Sequence, residues 1–285
     1  MRSFLRATFL CAAVAAVTPL PALTQESFPT DSAVQVIIDE AERTGRTAGV
    51  VVGLLEADGT RRVLVAGNGG PGALPLNGES VFEIGSITKV FTGILLADMA
   101  LRGEVTFDQP VAELLPDDVS VPMRNGKPIT LELLSSQHSG LPRLPGNMRP
   151  ADRSDPYVDY TVEQMYDFLS AHTLRRDPGA SYEYSNYGVG LLGHALALEA
   201  GTTYEDLLRD RILDPVEMDH TAIELTPWMT EHLALGHGTY GDTVPNWHLP
   251  TLAGAGALRS TAYDMLAFAA ANLSDAGGEL HRAMN

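Results

Sequence analysis

Residues 82–96 read Phe82-Glu83-Ile84-Gly85-Ser86-Ile87-Thr88-Lys89-Val90-Phe91-Thr92-Gly93-Ile94-Leu95-Leu96. Apolar side chains continue to Leu101, so the spacing predicts a helix over 86–101, and one without a polar face belongs in a core. Arg102-Gly103 supplies its stop. Lys89 is one of two lysines in 285 residues, and it stands three positions after Ser86. Positions i and i+3 share a helix face, which brings the hydroxyl and the amine within reach. A serine alcohol attacks poorly until a base takes its proton, and an amine one turn away is a suitable partner. The positive end of the helix also favours negative charge developing beside Ser86. This pair reads as the nucleophile and proton acceptor of an acyl-transfer site.

Upstream, Val34, Ile37, Ile38 and Ala41 recur at helical spacing over 32–42. The Val-rich run 48–55, Asp58-Gly59 and the run 61–66 read as a β-hairpin, and Gly67 to Gly78 as a loop. Downstream, helices are predicted over 130–135, 162–171, 187–199, 204–213 and 260–273, with prolines punctuating the loops between them.

A second element follows Pro178-Gly179: Tyr182-Glu183-Tyr184-Ser185-Asn186. In an extended segment Tyr184 and Asn186 would face one side together. A phenol can shuttle protons, and an amide can both donate to and accept from a peptide group. Alone the Tyr-x-Asn triplet is weak; after Ser86 and Lys89 it gains meaning.

The stretch 81–111, VFEIGSITKVFTGILLADMALRGEVTFDQPV, resembles the active-site helix region of class C β-lactamases and related penicillin-binding serine hydrolases. The likeness continues through ITLELLSSQHSGLPRLP (129–145), DPGASYEYSNYGVGLLGHALALEAG (177–201) and LAGAGALRSTAYDMLAFAAANL (252–273). It implies an α+β fold of the serine β-lactamase/DD-peptidase type, an antiparallel sheet flanked by helices with an inserted helical lobe. It also implies an acyl-enzyme pathway: Ser86 as nucleophile, Lys89 and Tyr184 as the proton-transfer pair, and Asn186 holding the substrate's side-chain amide and helping to fix Lys89. The expected activity is opening of a β-lactam ring; a D-alanyl-D-alanine carboxypeptidase, a small-ester hydrolase or a penicillin-binding module without turnover would share these residues. One demand follows. A lysine of ordinary pKa, about 10.4, is neutral in roughly one molecule in 2,500 at pH 7, so burial or a nearby cation must lower it.

The resemblance also implies a third motif, Lys-Thr-Gly or His-x-Gly, after Tyr184, and none occurs through Asn285. His138-Ser139-Gly140 has the letters but stands too early. The expectation is a C-terminally truncated product with an incomplete sheet, an uncovered hairpin edge, a missing packing wall on helix 86–101 and one oxyanion-hole donor lacking.

Arg2, Arg6, the apolar run 7–17 and the small-residue stretch 19–24 read as a signal peptide over 1–24, too short to anchor stably in a bilayer. Cys11 is the sole cysteine, so the exported chain would carry none. A periplasmic or secreted location is expected, with a hydrolase domain over 28–285: an α/β beginning at 30–85, a mainly helical lobe at 86–250, and a return at 251–285. The net charge of −17 argues against a nucleic-acid partner. The expected partner is a small molecule, a β-lactam or a peptide or ester analogue, met by a monomer with no cofactor and no metal. Gly188-Val189-Gly190-Leu191-Leu192-Gly193 matches a dinucleotide fingerprint, but no strand precedes it, so close helix packing is the reading. His232 and His237 lack zinc spacing, and Asp155 and Asp159 read as solvated loop charges.

Overall fold

The computed structural model describes residues 29–45, 47–70, 72–273 and 278–284; the expected leader, with Cys11, lies outside the described residues. Its first layer is helix α1 (Asp31–Arg43) laid on a ribbon of two antiparallel strands. Thr30 caps α1 by accepting from Ala33 N, and Val34 and Ile38 face inward. Strands β1 (Gly49–Leu55) and β2 (Arg61–Gly67) pair in a register that sets Val52 opposite Leu64. In the turn, Asp58 Oδ1 accepts from Thr60 N at 2.9 Å and Gly59 takes a φ of 87°, the left-handed region that favours glycine. Val34, Ile38, Leu64 and Ala66 form the small core of this layer. Among the described residues the ribbon gains no third strand, so each strand keeps one open edge.

Strand β3 (Phe82–Glu83) leads into helix α2 (Thr88–Leu101). The helix starts two residues later than the apolar pattern suggests: Ser86 sits in a 3₁₀ turn over Gly85–Ile87. Gly85, at φ 50°, makes that sharp entry possible. Phe91, Leu95, Leu96 and Met99 of α2 are fully buried in the main core. The helices α3 (Leu131–Ser135), α4 (Val162–Ala171), α5 (Asn186–Ala200) and α6 (Tyr204–Leu208) follow. Thr130, Thr161, Ser185 and Thr203 each cap one of them by accepting a backbone N–H. The single helix predicted over 204–213 does not persist. After Leu208 the chain widens into a π turn, Arg209–Leu213, and then a 3₁₀ turn, Asp214–Val216, because Pro215 has no N–H to continue the ladder.

Helix α7 (Pro227–Glu231), strands β4 (Gly236–His237), β5 (Thr243–Val244) and β6 (Arg259–Ser260), and helices α8 (Ala262–Leu273) and α9 (Glu279–Met284) follow among the described residues. β6 pairs antiparallel with β3, and Phe268 of α8 stacks on Phe91 with ring centroids 4.4 Å apart. α8 also packs against β1. α9 packs against α2, while Val90 and Leu101 stay about half exposed. Among the described residues no helix is long and apolar enough to cross a membrane.

Candidate active site

Lys89 sits in the first turn of α2, and its Nζ donates to Ser86 Oγ at 3.1 Å, as the i, i+3 spacing predicts. The inward face of the same helix carries Thr88 and Thr92, both fully buried. Thr88 Oγ1 accepts from Leu258 N at 3.2 Å. Thr92 Oγ1 donates to Gly254 O at 2.8 Å and shares a 2.6 Å hydrogen bond with Tyr204 Oη. With the β3–β6 pairing, these bonds fix segment 253–258 along α2, so that the Ala255 carbonyl accepts from Lys89 Nζ. Small residues allow the approach. A Cβ on Gly254 would lie 3.1 Å from Gly193 Cα and 3.0 Å from Val189 O. The glycines of 188–193 therefore serve packing, as read from the sequence, and form no nucleotide cradle.

Tyr184 arrives from the other side. Gln137 brackets it, accepting from Glu183 N through its carbonyl at 2.8 Å and from Ser185 N through Oε1 at 2.6 Å. Ser185 caps α5, accepting from Gly188 N at 2.8 Å, and donates to Pro142 O at 2.6 Å. The Tyr184 Oη then lies 2.6 Å from Ser86 Oγ, across 98 residues of sequence. Lys89 Nζ and Arg143 Cζ each stand 4.9 Å from the centroid of the Tyr184 ring.

These surroundings shift both proton carriers. Burial holds the Lys89 ammonium below the ordinary lysine value, and the Arg143 charge adds to that against an upward pull from Tyr184. Burial pushes the Tyr184 phenol up, but its contacts with Lys89 and Ser86 and the charges of Lys89 and Arg143 outweigh it, leaving the phenol below its usual value. A neutral amine and an anionic phenol are both made more accessible, and both touch one serine hydroxyl. That arrangement can take a proton from Ser86 and return it.

Asn186 departs from expectation in two respects. It is the first residue of α5, not part of an extended segment, because the Ser185 cap starts the helix there. Its side chain makes no hydrogen bond to Lys89, whose Nζ donates to Ser86 Oγ and Ala255 O; Asn186 Oδ1 is buried with no partner. The Asn186 amide neighbours the Tyr157 phenol, which burial raises and which Arg143 and Asn186 act to lower. Tyr157 packs on Trp247 with centroids 5.4 Å apart. Asp155 is not a solvated loop charge: its carboxylate accepts from His248 N at 2.9 Å and meets His248 Nδ1 at 2.7 Å, joining loop 152–159 to loop 245–250. Asp159 accepts from Ala151 N and remains exposed.

The structure brings Ser86, Lys89 and Tyr184 into contact and sets Asn186 beside Tyr157; Gln137, Arg143, Tyr157, Trp247 and the Ala255 carbonyl also stand around these residues without any sequence motif to mark them. Only Arg143 carried a usable signal, as a cation in the stiff segment Pro142-Arg143-Leu144-Pro145. Among the described residues no group of three or more His, Cys, Asp or Glu side chains is placed to hold a metal ion.

The family model described as Beta-lactamase matches residues 34–285. The D-alanyl-D-alanine-carboxypeptidase/endopeptidase AmpH of Escherichia coli K12 is 32% identical over 271 residues, covering 93% of this chain and 68% of that protein. A β-lactamase/D-alanine carboxypeptidase structure from Yersinia pestis, complexed with citrate, superposes with a TM-score of 0.72 at 27% identity, over 86% of this chain and 70% of that one. A class C β-lactamase structure from Rhodobacter sphaeroides gives a TM-score of 0.73 at 25% identity, over 89% and 69% of the two chains. The likeness thus runs through α2, the Tyr184 segment and the 253–258 loop alike, and this chain belongs to the β-lactamase family.

Proposed function

We propose that the protein is an exported serine hydrolase that opens β-lactam rings through an acyl-Ser86 intermediate. The observation that carries this reading is the convergence of Lys89 Nζ and Tyr184 Oη on Ser86 Oγ, at 3.1 and 2.6 Å. Ser86 Oγ attacks the lactam carbonyl carbon, and its proton passes to the shared Lys89–Tyr184 pair. Negative charge on the carbonyl oxygen is met by the backbone N–H of Ser86 at the positive end of α2. The carbon–nitrogen bond then breaks, and the ring nitrogen takes the proton from the same pair. Water next attacks the ester carbonyl, gives up a proton to the pair, and releases the ring-opened acid as Ser86 recovers its hydrogen. Asn186 and Tyr157 line the side that receives the acyl side chain. The scheme calls for no metal or cofactor, and a single copy of the chain carries every residue named.

A second reading, cleavage of D-alanyl-D-alanine peptides by the same chemistry, is favoured by the 32% identity with a protein named for that activity. Mass spectrometry after brief penicillin exposure, with a chromogenic cephalosporin assay in parallel, separates the outcomes. A Ser86 adduct that turns over with rapid cephalosporin hydrolysis supports the lactamase reading. A long-lived adduct supports the peptidase, or a penicillin-binding module where D-alanyl peptides are not cut either. No adduct at all sinks the acyl-serine scheme.

A further inference from the structure

Arg143 is an exposed arginine in a chain of net charge −17, yet its guanidinium forms no hydrogen bond or ion pair among the described residues. The acidic groups around the site are already engaged. Glu183 is paired with Arg176, Asp155 with His248, and Glu83 accepts from Trp247 N at 2.7 Å while lying 3.8 Å from Arg259. The position of Arg143 is nevertheless fixed. Its carbonyl accepts from Asn186 N at 3.0 Å and from Tyr187 N at 3.2 Å, and prolines stand on either side at 142 and 145. Its Cζ lies 4.9 Å from the centroid of the Tyr184 ring, whose hydroxyl touches the nucleophile. It also neighbours Tyr157, on the side of the site that holds Asn186.

We propose that Arg143 recognises a carboxylate on the acyl side chain of the substrate, making the site selective for acyl donors with an acidic side chain. This rests on the acyl-serine reading above, in which the group attached to the attacked carbonyl lies against Asn186. A guanidinium is planar, permanently charged and shaped for two parallel bonds to a carboxylate. Held against an aromatic face, it loses little freedom when it binds one. A leaving-group carboxylate would sit across the scissile bond from Asn186, so Arg143 reads the acyl half.

Benzylpenicillin and its α-carboxy derivative differ only by a carboxylate on the acyl side chain, which makes them a matched pair of probes. Calorimetry on Ser86→Ala protein, with and without Arg143→Gln, measures recognition free of chemistry; acylation rates on Ser86-containing protein measure it in the reaction. The expected result is a preference for the α-carboxy compound that falls about tenfold with Arg143→Gln and is partly kept by Arg143→Lys. Loss of affinity for both compounds equally would mark Arg143 as structural and overturn the proposal, as would a preference that ignores position 143 or the absence of binding by either compound. A preference that depends on Arg143 in a protein that is never acylated would leave this inference standing while the acyl-serine reading fails.

Discussion

Gln137 holds Tyr184 through the N–H groups of the residues before and after it, and does so from a left-handed backbone with a φ of 65°. A non-glycine residue in that region carries a conformational cost, which persists where the surroundings over-determine it. Gln137 is buried, and its side-chain oxygen is the acceptor for Ser185 N. Gln137→Ala should therefore lower stability by about 1–3 kcal/mol through the orphaned N–H. It should also slow acylation, since the phenol would no longer be aimed at Ser86. Gln137→Glu keeps an acceptor oxygen and should stay close to the parent. Denaturant unfolding and stopped-flow acylation of all three proteins check this; an alanine variant with unchanged acylation would show that Tyr184 is positioned by something else.

Lys89→Met removes the amine while keeping an apolar stem of similar length. Acylation should fall by roughly 10²–10⁴, the usual span for losing a proton-transfer group. The stability effect has a definite sign. Because burial lowers the folded-state pKa of Lys89, the unfolded chain binds more protons over the interval from that lowered value up to about 10.5. Folding is therefore opposed by Lys89 near neutrality, and the opposition fades as pH rises through that interval. The melting temperature of Lys89→Met relative to the parent should be most favourable near pH 7 and should decline toward pH 10. A difference independent of pH would show that the amine is not held against its charge.

The parts of this molecule that could be read from sequence are those whose determinants lie within one turn or one hairpin. Ser86 and Lys89 meet because three residues on a helix span less than a turn, and Asp58-Gly59 sets its hairpin register locally. Thr130, Thr161 and Thr203 mark helix starts for the same reason. What stayed hidden is non-local or too short to show a period. Ala255 meets Lys89 from 166 positions away, through a carbonyl that any residue type could supply. The β3–β6 ladder that delivers it is two residues long, so no alternation announces it. At Asn186 the sequence suggests an extended segment and the structure starts a helix, since a serine cap and a tyrosine-rich turn look alike until Pro142 and Gln137 are seen to hold Ser185.

Asp98 is fully buried on α2, with Arg102 Nε at 2.9 Å and Arg211 Nη1 at 3.0 Å from one carboxylate oxygen. Arg211 reaches Glu104 as well, at 2.8 Å, so the π turn at 209–213 is tied to the helix that carries the nucleophile. Removing Asp98 deletes its charge-assisted hydrogen bonds to two guanidiniums that can still reach water, and such losses run to about 1.5–3 kcal/mol. Asp98→Ala should fall in that range by denaturant unfolding. Glu104→Ala, at the exposed end of the network, should cost no more than about 1 kcal/mol. Equal losses from the two would place the coupling outside the buried pair.

Gly193 tests whether packing behind the site governs chemistry at its front. A Cβ there would lie 3.0 Å from Tyr204 Cε2 and 3.1 Å from Gly254 Cα, closer than ordinary contact on two sides. Mid-helix alanine is favoured over glycine by up to about 1 kcal/mol, while an extra methyl in a filled core costs roughly 1–3 kcal/mol. Overpacking should win, and Gly193→Ala should unfold at lower denaturant. The displaced groups matter more than the amount. Gly254 adjoins Ala255, so pushing it away loosens the carbonyl that holds Lys89. The variant should therefore acylate more slowly than its stability loss alone explains, and Tyr204→Phe, which removes only the hydroxyl that meets Thr92, should lose stability with a smaller change in rate. A Gly193→Ala protein that acylates at the parent rate would show that the Lys89–Ala255 contact tolerates displacement of its support.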